Sequence, residues 1–542
     1  MLNVGKVALK VVECLDSPNA IRQVFCIALL ARILLPGQSQ AAEVAPCLKA
    51  SLEVDAAMTT AKLRVAAERP PEFGSPDWKL SGVQQPGFFD YTLDIRRSVL
   101  PEGREYPLVV RMDPDRAAIN LRQLSGPATK NADRICETVA LTVAGGERNE
   151  LQSTTFGGYA FFKNGLPTQV SSITSDDRIP RHFVDSYTDW FHRSRKFYRS
   201  ALGRETREVN SVLFLVDQDE EGQQSGCRYA GSALPGLLLI GLRPGCLTGR
   251  QEPPGDLRHF VAHETFHQWN YTISGVERDP TAQAFRLMLL EGGAELAAVL
   301  FNAQTKAAGD DVTERYLGAA AKGCVDAALG RQQSIVELVN SNNEYAYSCG
   351  AVYAFLSMAP DGRKPLDALA RFWKPVLVAP DKPIRSRVPF VDAAFTARIS
   401  SLPTANELFS ATGYQLVAAK ELTKGERFQV AVELLREISR NDCQGSYGLF
   451  TGADEIVIDP NLTQCQHLRA GGKPLNVGGF DIYIAPLQAR AAWLSACDAG
   501  GTVPVAYKDS DLEATSVACA SKPKNMFTPL RLLRVPQRET LP

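Results

Sequence analysis

The pattern of apolar and polar positions changes twice along the chain. From Ala50 to about Val143 short runs alternate or stay apolar between Pro- and Gly-rich turns, as in "YTLDIRRSVL", "YPLVVRMD" and "VALTVAG", which predicts strands and a β-sandwich module. From about Leu151 the texture becomes mixed. "HFVDSYTDWFHRSRKFYRSAL" (His182–Leu202) spaces its aromatic residues as a helix does, whereas "SVLFLVD" (Ser211–Asp217) and "LPGLLLIGL" (Leu234–Leu242) read as buried strands. Further helices are predicted from Leu257 to about Trp269, with Asp256 as N-cap, and over "AFRLMLLEGGAELAAVLF" and "CGAVYAFLSMA". Pro-rich sequence from Lys374 to Pro389 breaks the helical pattern, and beyond about Leu435 strands return in "EIVID", "GFDIYIA", "GTVPVAY" and "ATSVACA". The expected class is therefore multidomain α+β. A β-sandwich spans 43–150, a mostly helical catalytic domain 151–425 and a small β domain 435–530.

Residues 1–42 carry a different signal. "VFCIALLARILLP" (Val24–Pro36) is a short apolar run behind Arg22, followed by Ser39 and Ala41 at the small-residue positions a signal peptidase reads. The run is too short to span a bilayer and Arg32 interrupts it. A signal peptide over 1–42 is expected, with a periplasmic or secreted mature chain that has no membrane span. Cysteine usage points the same way. Of twelve cysteines, Cys14 and Cys26 would leave with the signal. The other ten fall into near neighbours: Cys47 and Cys136, Cys227 and Cys246, Cys324 and Cys349, Cys443 and Cys465, Cys497 and Cys519. Five sequential disulfides are expected, and the absence of any CxxC pair argues against a thiolate zinc site. Hydrophobic content of 45% allows large cores, and a net charge of -1 gives no reason to expect a nucleic-acid partner.

The candidate chemistry lies in "HETFHQWN" (His263–Asn270). The chain has only six histidines, and His263 and His267 stand four apart. On a helix that spacing puts both imidazoles on one face, where they can share one ion. Glu264 is placed to act on a water beside that ion, the arrangement of HExxH zinc hydrolases. His259, one turn earlier, drifts partly off that face. A third ligand is needed, and "LLEGGAEL" offers Glu291 and Glu295, four apart on one apolar helix, where charge has to be compensated.

These segments together resemble the glutamate-ligated zinc peptidases, the gluzincins, and within them the glycyl aminopeptidase family, whose pattern is HExxHxWN followed by a Glu-Gly pair opening a helix. The resemblance implies a thermolysin-like catalytic domain. It implies one Zn2+ per chain on His263, His267 and Glu291, with Glu264 as general base and Glu295 supporting the ligands. The family's Tyr-x-x-Gly element, whose hydroxyl stabilises the oxyanion, falls on Tyr347 in "EYAYSCGAVYAFL", with Tyr345 and Tyr353 as neighbours of the same type and Cys349 where lysine is common. The acidic residue by which such aminopeptidases hold a free amine has no counterpart, since "GCRYAGSALPGLLLI" contains no carboxylate between Cys227 and Ile240. Finally, "CQHLRAGGKPLNVGGFDI" and "GGTVPVAYKDSDLEATSVAC" resemble the turn and closing hairpin of PDZ domains, which the same family carries and which bind peptide ends at a sheet edge. The expected function is an exported zinc-dependent peptidase acting on peptide or protein substrates. The alternative is a non-catalytic peptide-binding protein with a retained structural zinc site and a PDZ-like domain.

Overall fold

The structure is a computed structural model. It describes most of residues 49–534, and its longer undescribed stretches are 99–106, 122–139, 143–157, 217–226, 248–254, 306–310, 359–364, 379–389 and 521–528. The signal-peptide segment and the Cys47 and Cys136 pair lie outside the described residues. The chain divides into two compact units, Met1–Gln169 and Val170–Pro542.

The first unit is built on period-two alternation. In the strand Thr60–Ala66, Ala61, Leu63 and Val65 are buried while Lys62 and Arg64 face water. That strand sits in a five-stranded sheet ordered Lys79–Gln85, Phe88–Asp94, Thr60–Ala66, Lys49–Val54 and Ala140–Thr142, antiparallel except for the last pair. A four-stranded antiparallel sheet, Val109–Asp113, Arg116–Asn120, Tyr159–Lys163 and Leu166–Pro167, shares its core, with Leu108, Ile119 and Phe162 packing among Leu63, Trp78 and Tyr91. The unit reaches Gln169 because Tyr159–Lys163 pairs along its whole length with Arg116–Asn120.

The second unit opens with a four-stranded sheet ordered Ile173–Ser175, Asn210–Leu215, Leu237–Leu242 and Tyr229–Leu234. The first three strands run parallel and the edge strand Tyr229–Leu234 antiparallel. The central strands are buried on both faces, which is why they read as unbroken apolar runs. Phe183, Tyr187 and Phe191 of the helix Arg181–Leu202 pack on this sheet together with Leu257 and Val261 of the helix Gly255–Asn270. The opposite face of the Gly255–Asn270 helix places Ala262, Phe266 and Trp269 in a second, mostly helical core. Apolar contact on both sides leaves this helix without an amphipathic pattern. Asp256 falls in its first turn instead of at the cap, and its carboxylate accepts the Tyr229 hydroxyl at 2.8 Å.

The helical core is formed by Pro280–Leu287, a π turn at Met288–Gly292, then Gly293–Thr305, Asp311–Arg331, Ile335–Ser341, Tyr345–Ser357, Pro365–Val378 and Val391–Thr396. A two-stranded ribbon, Tyr414–Ala418 with Leu530–Arg534, inserts Leu416 and Leu532 into this core. Between the two strands of the ribbon the chain makes a separate module with its own core around Trp493, Leu434, Ile438 and Val505. It contains the helices Lys424–Asp442 and Pro486–Ala499, the hairpin Leu449–Thr451 with Ile456–Ile458, and a sheet ordered Phe480–Asp481, Pro474–Val477, Thr502–Tyr507 and Thr515–Ala518. The whole is a mixed α+β fold of several parts.

Four of the five expected disulfides are present: Cys227–Cys246, Cys324–Cys349, Cys443–Cys465 and Cys497–Cys519. Among the described residues no cysteine is free, and no helix is long and apolar enough to cross a membrane.

Candidate metal centre

His263 and His267 stand one turn apart on the Gly255–Asn270 helix, both buried, with ring centroids 4.9 Å apart. Their Nε2 atoms approach to 3.2 Å. The π turn brings Glu291 to the same point, its Oε2 lying 3.5 Å from each Nε2. The Nδ1 atoms are already engaged. That of His263 meets Glu295 Oε2 at 2.9 Å, and that of His267 meets Asn270 Oδ1 at 2.9 Å. The Asn270 amide nitrogen donates to the Leu290 carbonyl at 2.7 Å, so its oxygen faces the imidazole and Nδ1 of His267 must be the donor. In the neutral rings both Nε2 lone pairs therefore point at one another and at a carboxylate oxygen.

Three acceptors aimed at one point are a donor set that a shared cation can take. A tetrahedral ion bonded at about 2.0–2.2 Å holds its ligand atoms about 3.3–3.6 Å apart, close to the 3.2 and 3.5 Å seen here. The residues present thus fit zinc, with three protein donors among the described residues. In the metal-free protein the neighbouring carboxylates favour a charged imidazole. Burial works against charging His263, yet the bonds to Glu291 and Glu295 and the charge of Glu264 raise its pKa to about 10. Burial likewise opposes ionising Glu291, but His267 and His263 hold its carboxyl well below the usual range.

Glu295 collects a further shell. It accepts from His259 Nε2 at 2.8 Å and from the Tyr316 hydroxyl, besides the His263 bond. His259 is therefore attached to the ligands indirectly. Glu264, also buried, lies against Gly231 of the edge strand, where a Cβ would stand 2.8 Å from its Cδ. Tyr347 is 44% exposed and its ring stacks over that of His263, centroids 5.5 Å apart at an interplanar angle of 22°. Tyr345 instead lies under the guanidinium of Arg331, and the Tyr353 hydroxyl donates to Asp392 at 2.8 Å. Of the three tyrosines, Tyr347 is the one stacked on a histidine of the cluster.

The residues that follow His267 each fasten the helix to a neighbour. Gln268 bonds Gly236 N and the carbonyls of Leu234 and Leu237, holding the turn of the edge hairpin. Trp269 Nε1 donates to Gly203 O at 3.1 Å. Asn270 joins His267 to the π turn. Its supporting role and that of Tyr316 went unread in the sequence, although Asn270 stands inside the quoted motif. A second cluster, Asp442 with Cys443 and Cys465, offers no thiolate because its cysteines form a disulfide. Asp442 instead accepts from His467 Nδ1 and from the backbone of His467 and Leu468.

No protein-family model and no curated relative matches the chain. Among solved structures it is similar to an aminopeptidase N family protein from Idiomarina loihiensis, with 10% identity, 90% of this chain and 98% of that chain covered, and a TM-score of 0.45. At that score the likeness carries no argument about activity, which has to come from the site.

Proposed function

We propose that the chain is an exported zinc-dependent peptidase of gluzincin type, with a thermolysin-like catalytic region and a PDZ-like accessory module. The observation that carries this is the convergence of His263 Nε2, His267 Nε2 and Glu291 Oε2 on one point while both Nδ1 atoms are held elsewhere. Those three residues would hold the ion. Zinc bound there supplies Lewis-acid polarisation of a scissile carbonyl and of the attacking water. Glu264, beside the cluster and seated against Gly231, takes the proton from that water and passes it to the leaving amine. Tyr347 donates its hydroxyl to the carbonyl oxygen as negative charge develops there. The edge strand Tyr229–Leu234 gives an extended peptide main-chain groups to pair with. Three protein ligands and a retained Glu264 favour catalysis over a closed structural site, which takes four protein ligands. Four disulfides support an oxidising compartment.

Glu264→Gln tests this directly. The variant is expected to keep about one zinc per chain and to lose peptide hydrolysis by roughly 100-fold or more. Full activity in the zinc-loaded Glu264→Gln variant would remove Glu264 from the chemistry. Peptides with free and blocked N-termini, compared on the wild-type protein, separate aminopeptidase from endopeptidase action.

A further inference from the structure

Two glycines, 58 positions apart, touch at the site. Gly292 directly follows Glu291 in the π turn, and Gly350 lies one turn after Tyr347 on the helix Tyr345–Ser357. A Cβ built on Gly292 would stand 2.2 Å from Gly350 Cα, and one built on Gly350 would stand 2.4 Å from the Met288 carbonyl oxygen and 2.9 Å from Gly292 Cα. Backbone therefore presses on backbone where the segment carrying Glu291 crosses the helix carrying Tyr347, and no side chain fits between them. The neighbouring residue Cys349 is bonded to Cys324 of the helix Asp311–Arg331, which ties the same helix to a second neighbour.

We propose that Gly350 is a positioning residue: its contact with Gly292 sets the height of Tyr347 over the His263–His267–Glu291 cluster. This rests on the function proposed above and assigns a role to a residue with no reactive group. The two partners of the crossing are held differently near the site. The π turn is held by the Asn270 bond to the Leu290 carbonyl, whereas the N-cap of the Tyr345–Ser357 helix, Glu344, makes no side-chain cap bond. Added bulk therefore displaces the turn carrying Tyr347. Ordinary carbon–oxygen contact is about 3.3–3.6 Å, so a methyl on Gly350 demands a shift of about 1 Å. A displacement of that size at a reacting group costs up to about 100-fold in rate.

The test is a double-mutant cycle of Gly350→Ala with Tyr347→Phe in the full chain, with zinc content, kcat and KM measured and the crystal structure of zinc-free Gly350→Ala determined. The expected result is about one zinc per chain, kcat lower by about 10- to 100-fold and KM within about 3-fold. Gly350→Ala should add little once the Tyr347 hydroxyl is gone, and the Tyr347 ring should be moved off its stack on His263. Additive losses, an unmoved ring, or loss of zinc in step with kcat would overturn the proposal. If Gly350→Ala does not fold, the Cys324→Ala/Cys349→Ala pair relaxes the same helix without adding an atom. It should lower kcat about 3- to 10-fold only when Tyr347 is present, and an equal loss in the Tyr347→Phe background would overturn it. A wild-type protein without zinc or peptidase activity would refute the function proposed above, while the position of the Tyr347 ring would still report on Gly350.

Discussion

At the scale of single residues, the cluster is organised by which ring nitrogen is left over. Asn270 and Glu295 take the two Nδ1 atoms, so the Nε2 atoms face the gap. Asn270→Ala frees the His267 ring and releases the π turn, and zinc affinity is expected to fall by about 10- to 100-fold in a competition assay with a chromophoric chelator. Affinity also depends on pH. His263, raised from 6.5 to about 10, stabilises the metal-free fold fully below pH 6.5, and this contribution is lost as pH rises through 10. Zinc needs the deprotonated ring, so its apparent affinity should climb across the same interval, with proton release seen by calorimetry in buffers of different ionisation heat. A flat affinity profile would show that His263 is not displaced from its proton by the ion. The helix-face pairing of His263 and His267 was legible in the sequence because a period of 3.6 dictates it. Periodicity alone leaves Glu291 and Glu295 open, since residues four apart are equivalent on an ideal helix, and only the family resemblance singled out Glu291. The π turn decides which one reaches Nε2 and which one reaches Nδ1.

At the scale of elements, burial pattern explains what could be read. Strands buried on both faces, such as Leu237–Leu242, and alternating ones, such as Thr60–Ala66, announce themselves. Two helices of the C-terminal module did not. Pro486–Ala499 buries only Pro486, Ala489 and Trp493, so small residues on its remaining surface gave no stripe to detect, and its end is marked by Gly500 in the left-handed region at φ 61°. Lys424–Asp442 carries a legible start: Thr423 and Glu426 form a capping box, with each side chain bonded to the other's backbone N–H. Glu426 also pairs with Arg531 of the returning ribbon strand at 2.6 Å. Thr423→Ala is expected to cost about 1 kcal/mol in denaturant unfolding. A change below a few tenths would mean that packing of Leu434, Leu435 and Ile438 fixes this helix without its cap.

At the scale of the whole second unit, the site lies where two cores meet. The helix Gly255–Asn270 turns one side to the sheet core and the other to the helical core, and Glu291 comes from the helical side. A bound ion would add to the Asn270–Leu290 and Glu295–histidine hydrogen bonds that already join these elements, and its removal should lower the unfolding temperature in step with free zinc concentration. The measurement that tests the central claim most directly is zinc content per chain, by mass spectrometry on purified protein, for the wild type beside Glu291→Ala. The account predicts about one zinc per wild-type chain and a site lost or sharply weakened in the variant. Zinc retained in full by Glu291→Ala, or no zinc in the wild type after the ion is supplied, would contradict it.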